Sequence, residues 1–207
     1  MQPEVLLLSR GLGAVPAFLG PSARTVAFIP TAGDVYESPT FLDDDRRGLR
    51  HLGYTIHEAD VTGSTPDELR RTLTEADAVF VGGGNTFYLL QELRRTGSAR
   101  VLVEAVRSGL PYMGTSAGAV AAGPSAEPVQ TFDDPLRAPL LESFEGLGLV
   151  PVVTLPHYGK EKYAGLHDSV LRQHGDRFPI VPIRDDQAIH SDASGNQTIV
   201  PSSPLQP

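Results

Sequence analysis

Cysteine is absent from the 207-residue chain. Its absence excludes disulfide bonds, thiolate metal ligands and a cysteine nucleophile, and it fits a reducing compartment. Nothing in the sequence approaches the roughly 20 apolar residues that a membrane-spanning helix needs. The apolar run at residues 5–8 is too short for a secretion signal and follows an acidic residue. We therefore expect a cytoplasmic protein with no membrane partner.

Positive charge is also scarce. The chain has 17 Lys and Arg against 25 Asp and Glu, which gives a formal net charge of −8. A nucleic-acid-binding surface needs clustered Lys and Arg, so nucleic acid is not an expected partner. The length fits one globular domain. We expect that domain to cover residues 1–200, with a frayed C-terminal tail at residues 201–207.

Short apolar runs alternate with helical patterns through the first 120 residues. The pattern predicts strands at residues 4–9, 25–30, 54–60, 78–81 and 112–114, and helices at residues 41–52, 65–76, 86–95 and 99–108. Continuous apolar runs suit strands that are covered on both faces. The alternation therefore predicts an α/β fold with a doubly wound, mostly parallel sheet.

The pattern weakens beyond residue 123. Residues 123–140 are rich in Pro, Gly, Ser and Asp, which favours a loop or hairpin. The later predicted elements are strands at residues 150–155, 180–183, 188–190 and 197–200 and a helix at residues 160–174. The last two strands are expected to pair as a hairpin.

The strongest chemical signal is the pentapeptide from Gly114 to Gly118, which matches G-x-S-x-G around Ser116. This turn lifts a serine from a strand end onto a helix N-terminus, and small residues must flank its strained backbone. The N–H of Ala117 is then placed to donate to a developing oxyanion. A simple small-residue turn between strand and helix is the competing interpretation.

A second signal is the run Gly82–Gly83–Gly84 before Asn85 and Thr86. Three glycines indicate a close approach of the backbone to another group. The spacing matches neither a P-loop nor a dinucleotide fingerprint. We expect this loop to face Ser116, with Gly84 as a second oxyanion donor. A tight turn capped by Asn85 or Thr86 is the alternative.

A serine nucleophile needs a base and an orienting acid. His157 is the favoured base because it follows the apolar run at residues 150–155, at a strand end. Asp185 or Asp186, after the strand at residues 180–183, is the natural acid. Asp133 and Asp134 offer a second acidic pair. The order Ser…His…Asp differs from that of α/β-hydrolases.

Residues 43–45 form an aspartate triplet in the predicted helix at residues 41–52. We interpret it as a solvated helix face, because no His or Cys stands nearby at ligand spacing. No metal site is predicted.

The segments VFVGGGNTFYLLQELRRTG, YMGTSAGAVAAG, LPHY and IRDDQAI together resemble the peptidase E family, peptidase family S51. That family includes aspartyl dipeptidases and cyanophycinases, and the resemblance runs from about residue 25 to residue 189. It implies a flavodoxin-like fold similar to the class I glutamine amidotransferases, with serine in place of their nucleophilic cysteine.

The resemblance also implies roles for individual residues. Ser116 matches the nucleophile and His157 the base. Asp185 stands where the family often carries glutamate, which is a departure, and Asp133 is the other acid sometimes implicated. The residues matched to oxyanion and substrate binding are Gly84, Ala117, Asn85 and Thr86. The resemblance implies a short peptide as the partner and no cofactor. A homodimer is possible.

The activity implied is cleavage of dipeptides with N-terminal aspartate. Such specificity needs a basic or amide-rich pocket. The candidate cations near the motif loops are Arg137, Lys160, Lys162 and Arg184, and a plain surface charge is the favoured interpretation of each. A carboxypeptidase or cyanophycinase-like peptidase of this family, an esterase or lipase, and a non-catalytic binding module on the same fold are the alternatives.

Overall fold

The computed structural model describes residues 2–204, which form a seven-stranded sheet, a separate two-stranded sheet and flanking helices. The strands are β1 (Val5–Leu8), β2 (Thr25–Ile29), β3 (Thr55–Glu58), β4 (Ala78–Val81), β5 (Tyr112–Thr115), β6 (Val153–Leu155), β7 (Ile180–Pro182), β8 (Gln187–Ser191) and β9 (Gln197–Pro201). The helices are α1 (Val15–Leu19), α2 (Thr40–His51), α3 (Pro66–Thr74), α4 (Thr86–Arg95), α5 (Ser98–Arg107), α6 (Ala117–Ala121) and α7 (Ala164–His174).

The large sheet has the strand order β3-β2-β4-β5-β1-β8-β9. Its first five strands are parallel, and β8 and β9 are antiparallel additions at the β1 side. β6 and β7 pair in parallel outside this sheet. The predicted α/β fold with a mostly parallel sheet is confirmed, as is the hairpin of β8 and β9.

The central strands β1 and β4 are buried along their whole length. Helices cover both faces of such strands, which explains why their sequences are unbroken apolar runs. The carboxyl ends of β4, β5 and β1 are neighbours at one edge of the sheet. Loops that leave this edge carry the glycine run and Ser116, as α/β proteins with ligand sites commonly arrange them.

Residues 123–140 form a loop, which is one of the two structures predicted there, and no hairpin. This loop contains the 3₁₀ turns Glu127–Val129 and Pro135–Arg137 and pairs only at an isolated bridge between Ser125 and Glu145. The predicted helix at residues 160–174 begins with the 3₁₀ turn Glu161–Tyr163. Short α1 was not predicted, because five residues carry too little periodicity.

The C-terminal segment is fixed further than predicted. The buried Ser202 hydroxyl donates to the Gly11 carbonyl at 2.6 Å and accepts from the Ala14 N–H at 3.1 Å. Fraying from residue 201 is therefore wrong for Ser202, and residues 205–207 lie outside the described part of the chain.

The aspartate triplet is not wholly solvated. Asp45 is only 8% exposed, because it shares one face of α2 with the buried Leu42 and Leu49. Positions three and seven residues apart lie on the same side of a helix. None of the helices in residues 2–204 has the length and apolar character to span a bilayer.

Candidate active site

Ser116 forms a strained turn between β5 and α6. Its backbone has φ 50° and ψ −108°, a region that non-glycine residues rarely adopt. A Cβ atom at Gly114 would lie 2.5 Å from the Gly118 carbonyl oxygen, and one at Gly118 would lie 2.2 Å from the Val81 carbonyl oxygen. Only glycine fits at these two positions, so α6 lies in direct contact with the backbones of β5 and β4 beside Ser116.

Two hydrogen-bond contacts link Ser116 to His157 and His157 to Asp185. Ser116 Oγ is 3.1 Å from His157 Nε2, and His157 Nδ1 is 2.7 Å from Asp185 Oδ1. An ionised carboxylate can only accept, so Nδ1 carries the ring proton and Nε2 is free to accept from the serine hydroxyl. This arrangement suits a hydroxyl nucleophile with a base that is oriented by an acid.

The backbone of His157 is also strained, with φ 61°. Three hydrogen bonds hold its loop: the His157 N–H donates to Ser9 Oγ at 2.8 Å, the Tyr158 N–H donates to the Ile183 carbonyl at 3.0 Å, and the buried His167 ring Nε2 donates to the Pro156 carbonyl at 3.0 Å. Strained conformations persist where the surroundings over-determine them, as they do for this loop.

Asp185, and not Asp186, faces the imidazole. Burial alone would raise the pKa of Asp185, but hydrogen bonds from His157, Lys160 and Ser9 outweigh it and hold that pKa well below its ordinary value. Ser9 Oγ donates at 2.8 Å, and Lys160 Nζ lies 2.5 Å from Oδ2. The carboxyl of Asp186 pairs with Arg184 at 3.2 Å.

The two expected oxyanion donors lie on opposite loops. Gly84 follows β4 and Ala117 begins α6, and neither N–H donates to an acceptor within residues 2–204. Gly83 makes the close approach to the nucleophile, since a Cβ there would lie 3.3 Å from Ser116 Cβ. Gly84 has φ 140° and packs against the Ala32 carbonyl, where a Cβ would lie at 2.0 Å. The glycine run is therefore needed for two separate contacts, one of Gly83 with Ser116 and one of Gly84 with Ala32.

Asp133 does not contact His157. Its Oδ2 accepts from the N–H of Thr86 at 2.9 Å and from Thr86 Oγ1 at 2.6 Å. Burial raises the pKa of Asp133 despite these hydrogen bonds. Of the four aspartates considered from the sequence, the structure places Asp185 on the imidazole and Asp133 beside Thr86.

Asn85 is a helix cap and does not line a substrate cavity. Its side-chain oxygen accepts from the Tyr88 N–H at 2.9 Å, and its amide donates to the Asp134 carbonyl at 2.9 Å. Asn85 is 1% exposed and is not among the residues that line the cavity beside Ser116, so the structure gives no support for the expected substrate contact. The competing interpretation of a capped turn holds for this residue.

A cavity of about 930 Å³ opens beside Ser116 and His157. Thr86 and Asp133 line it, and so do five cationic side chains, those of Arg10, Arg47, Arg50, Lys160 and Lys162, whereas Arg137 and Arg184 do not. Pockets of this size hold small organic ligands. No group of three His, Asp or Glu side chains in residues 2–204 is placed to hold a metal ion.

A family model described as peptidase family S51 matches residues 10–199. The chain belongs to peptidase family S51. An uncharacterised peptidase of Listeria monocytogenes is 36% identical over 166 residues, covering 80% of this chain and 81% of the relative. Peptidase E of Streptomyces coelicolor is 46% identical over 166 residues, which are 80% of this chain and 64% of that protein.

The fold agrees with the family. A crystal structure of a Listeria monocytogenes protein assigned to peptidase E superposes with a TM-score of 0.89 at 30% identity, covering 98% of this chain and all of that one. A peptidase from an acI-B1 actinobacterium has a TM-score of 0.66 at 21% identity, covering 97% and 88%, and supports the fold alone.

Sequence reasoning missed Ser9 in the site of this S51 peptidase. Ser9 is 1% exposed and directly follows β1, which lies between β5 and β8. A polar residue at the carboxyl end of a buried central strand was the available signal. Lys160 was considered only as a cation for substrate, whereas the structure pairs it with Asp185.

Proposed function

We propose that this S51 peptidase is a serine peptidase that hydrolyses short peptides through an acyl-enzyme. The observation that carries the proposal is the alignment of Ser116 Oγ, the His157 ring and the Asp185 carboxylate at 3.1 Å and 2.7 Å. These distances lie within the range for proton transfer between a nucleophile and its base.

In the first step, Ser116 Oγ attacks the scissile carbonyl while His157 Nε2 takes its proton. Asp185 holds the Nδ1–H and stabilises the imidazolium. The N–H groups of Gly84 and Ala117 are the proposed donors to the tetrahedral oxyanion. His157 then gives its proton to the leaving amine. In the second step His157 activates water, which hydrolyses the ester on Ser116.

The proposed substrate is a dipeptide with N-terminal aspartate. A free N-terminal ammonium needs an anion near the nucleophile, and Asp133 lines the cavity with only its Oδ2 engaged by Thr86. An aspartate side chain needs a cation on the same wall. Of the four cations that the sequence suggested, Lys160 and Lys162 line the cavity.

Lys162 is the proposed partner of the substrate's side-chain carboxylate. Lys160 is already paired with Asp185, whereas Lys162 Nζ lies 4.4 Å from the centre of the Tyr163 ring. A lysine on an aromatic face can exchange that contact for a carboxylate at modest cost.

Hydrolysis of a peptide panel tests the activity. Asp-X, Ala-X and N-acetyl-Asp-X peptides are each incubated with wild-type protein and with Ser116→Ala, and the released amines are measured. We expect wild type to cleave Asp-X preferentially and Ser116→Ala to be inactive. Turnover by Ser116→Ala would contradict the serine mechanism. Cleavage of blocked or Ala-X peptides at the same rate as Asp-X would favour a carboxypeptidase or cyanophycinase-like specificity. If the protein cleaves none of the peptides, a non-catalytic binding module is favoured.

Specificity is tested with Lys162→Met, with Arg137→Met as the matched control because Arg137 does not line the cavity. We expect Lys162→Met to lower the kcat/KM ratio of Asp-X over Ala-X at least tenfold. The control should keep the wild-type ratio. An unchanged ratio in Lys162→Met would rule out this lysine as the recognition group.

A further inference from the structure

Ser9 joins the base and the acid of the site in one closed set of hydrogen bonds. Its Oγ accepts from the His157 N–H at 2.8 Å and donates to Asp185 Oδ1 at 2.8 Å. The same Oδ1 accepts from His157 Nδ1 at 2.7 Å. A single hydroxyl therefore contacts the backbone of the histidine and the carboxylate that orients its ring.

The direction of each hydrogen bond follows from the groups present. The ionised Asp185 carboxylate only accepts, so the single Ser9 hydroxyl hydrogen must point at it. The His157 N–H only donates, so it uses a lone pair of Ser9 Oγ. His157 Nδ1 is 3.4 Å from Ser9 Oγ and 2.7 Å from Asp185 Oδ1, so its proton goes to the carboxylate.

The strand end that carries Ser9 also holds the other parts of the site. The Ser116 N–H donates to the Leu8 carbonyl at 3.0 Å, and the Gly11 N–H donates to the Asp185 carbonyl at 3.0 Å. β1 lies between β5, which leads to Ser116, and β8, which follows Asp185. Hydrogen bonds with the four residues Leu8 to Gly11 thus hold all three of Ser116, His157 and Asp185.

We propose that Ser9 is a positioning residue for the relay of Ser116, His157 and Asp185. It fixes the strained His157 backbone and the Asp185 carboxylate at the same time, so ring and acid cannot move independently. This inference rests on the proposed peptidase function. Displacement of a catalytic group by about 1 Å can cost about 100-fold in rate, which sets the scale of the expected effect.

The test compares Ser9→Ala with Ser202→Ala. Ser202 is a matched control, since it is a fully buried serine whose hydroxyl bonds the same loop at Gly11 and Ala14 but contacts no member of the relay. We expect Ser9→Ala to lower kcat on Asp-X peptides about 10- to 100-fold with KM within twofold. Ser202→Ala should keep at least half of the wild-type kcat. A kcat above half of wild type in Ser9→Ala, or an equal loss in both variants, would overturn the proposal.

A second measurement does not depend on turnover. In wild type the His157 Nδ1–H should give a downfield, slowly exchanging proton resonance, assigned by its loss in His157→Gln. We expect this resonance to broaden or disappear in Ser9→Ala and to persist in Ser202→Ala. If wild type proves inactive on all peptides but the resonance responds as expected, the proposed function fails while the positioning role stands. An unchanged resonance in Ser9→Ala would overturn that role.

Discussion

The Nζ atom of Lys160 lies 2.5 Å from Oδ2 of Asp185. The carboxyl therefore meets a cation on one oxygen and the imidazole on the other. Its lowered pKa keeps it ionised throughout the neutral range, so it remains an acceptor for the His157 ring. Because the Lys160 side chain is 39% exposed, solvent screens this ion pair and limits what it contributes.

Asp185→Asn should lower kcat by about 100- to 10,000-fold. An amide can donate to the imidazole and favour the wrong tautomer, while the geometry stays intact. Lys160→Met should lower kcat less than tenfold, since it leaves the acceptor in place. Steady-state kinetics on one Asp-X peptide compare the two. A loss in Lys160→Met as large as in Asp185→Asn would show that the lysine, and not the carboxylate alone, is essential.

Asp133→Asn should raise KM for Asp-X at least tenfold and change kcat little. The reason is that Asp133 bonds Thr86 and lines the cavity, whereas the carboxylate that bonds the imidazole is that of Asp185. The same kinetic assay checks this. A fall in kcat with unchanged KM would instead identify Asp133 as the orienting acid.

Asp45 should make the fold less stable as the pH rises. Burial raises the pKa of this carboxyl to about 8, whereas an unfolded chain titrates near 4. Between about pH 4 and pH 8 the folded protein holds a proton that the unfolded chain releases. The free energy of unfolding therefore falls with rising pH, by up to about 1.4 kcal/mol per pH unit from this group.

Asp45→Asn removes that dependence. We compare the free energy of unfolding of Asp45→Asn with that of wild type. The difference in favour of the variant should be about 2–4 kcal/mol larger at pH 8 than at pH 5. Urea denaturation at both values measures it, and Asp44→Asn on the exposed face of α2 is the control. Parallel pH profiles for Asp45→Asn and wild type would show that the carboxyl is not held neutral.

Gly118→Ala should destabilise the protein by several kcal/mol and abolish activity. Its new Cβ would lie 2.2 Å from the Val81 carbonyl oxygen, so the backbone of β4 or α6 must shift. Gly165→Ala is the matched control, because nothing lies within 4 Å of its Cβ and it sits in α7. That change should be neutral or stabilise by up to about 1 kcal/mol. Equal stability of the two variants by urea denaturation would contradict the close contact.

Local patterns were sufficient to predict most of the sheet and the serine turn. β1 and β4 are buried apolar runs, and α3, predicted at residues 65–76, is present at Pro66–Thr74 behind a capping box of Thr65 and Glu68. The short helix α1 and the 3₁₀ turns were not predicted, because they span only three to five residues.

Contacts between distant segments could not be predicted in the same way. Ser9 bonds residues 148 and 176 positions away, so only the sheet order reveals its place. The choice between Asp185 and Asp133 likewise depended on which loop meets the imidazole. The burial of Asp45 followed from helix packing, which overrides the solvated face that three consecutive aspartates suggest.

Covalent labelling of Ser116 tests the central claim most directly. Wild type, Ser116→Ala and His157→Gln are treated with a serine-reactive phosphonate, and intact mass and peptide mapping locate any adduct. The account predicts one adduct per wild-type chain on Ser116, none in Ser116→Ala, and labelling at least 100-fold slower in His157→Gln, because the base that removes the hydroxyl proton is lost. A folded wild-type protein that stays unlabelled, or an equal adduct in Ser116→Ala, would contradict it.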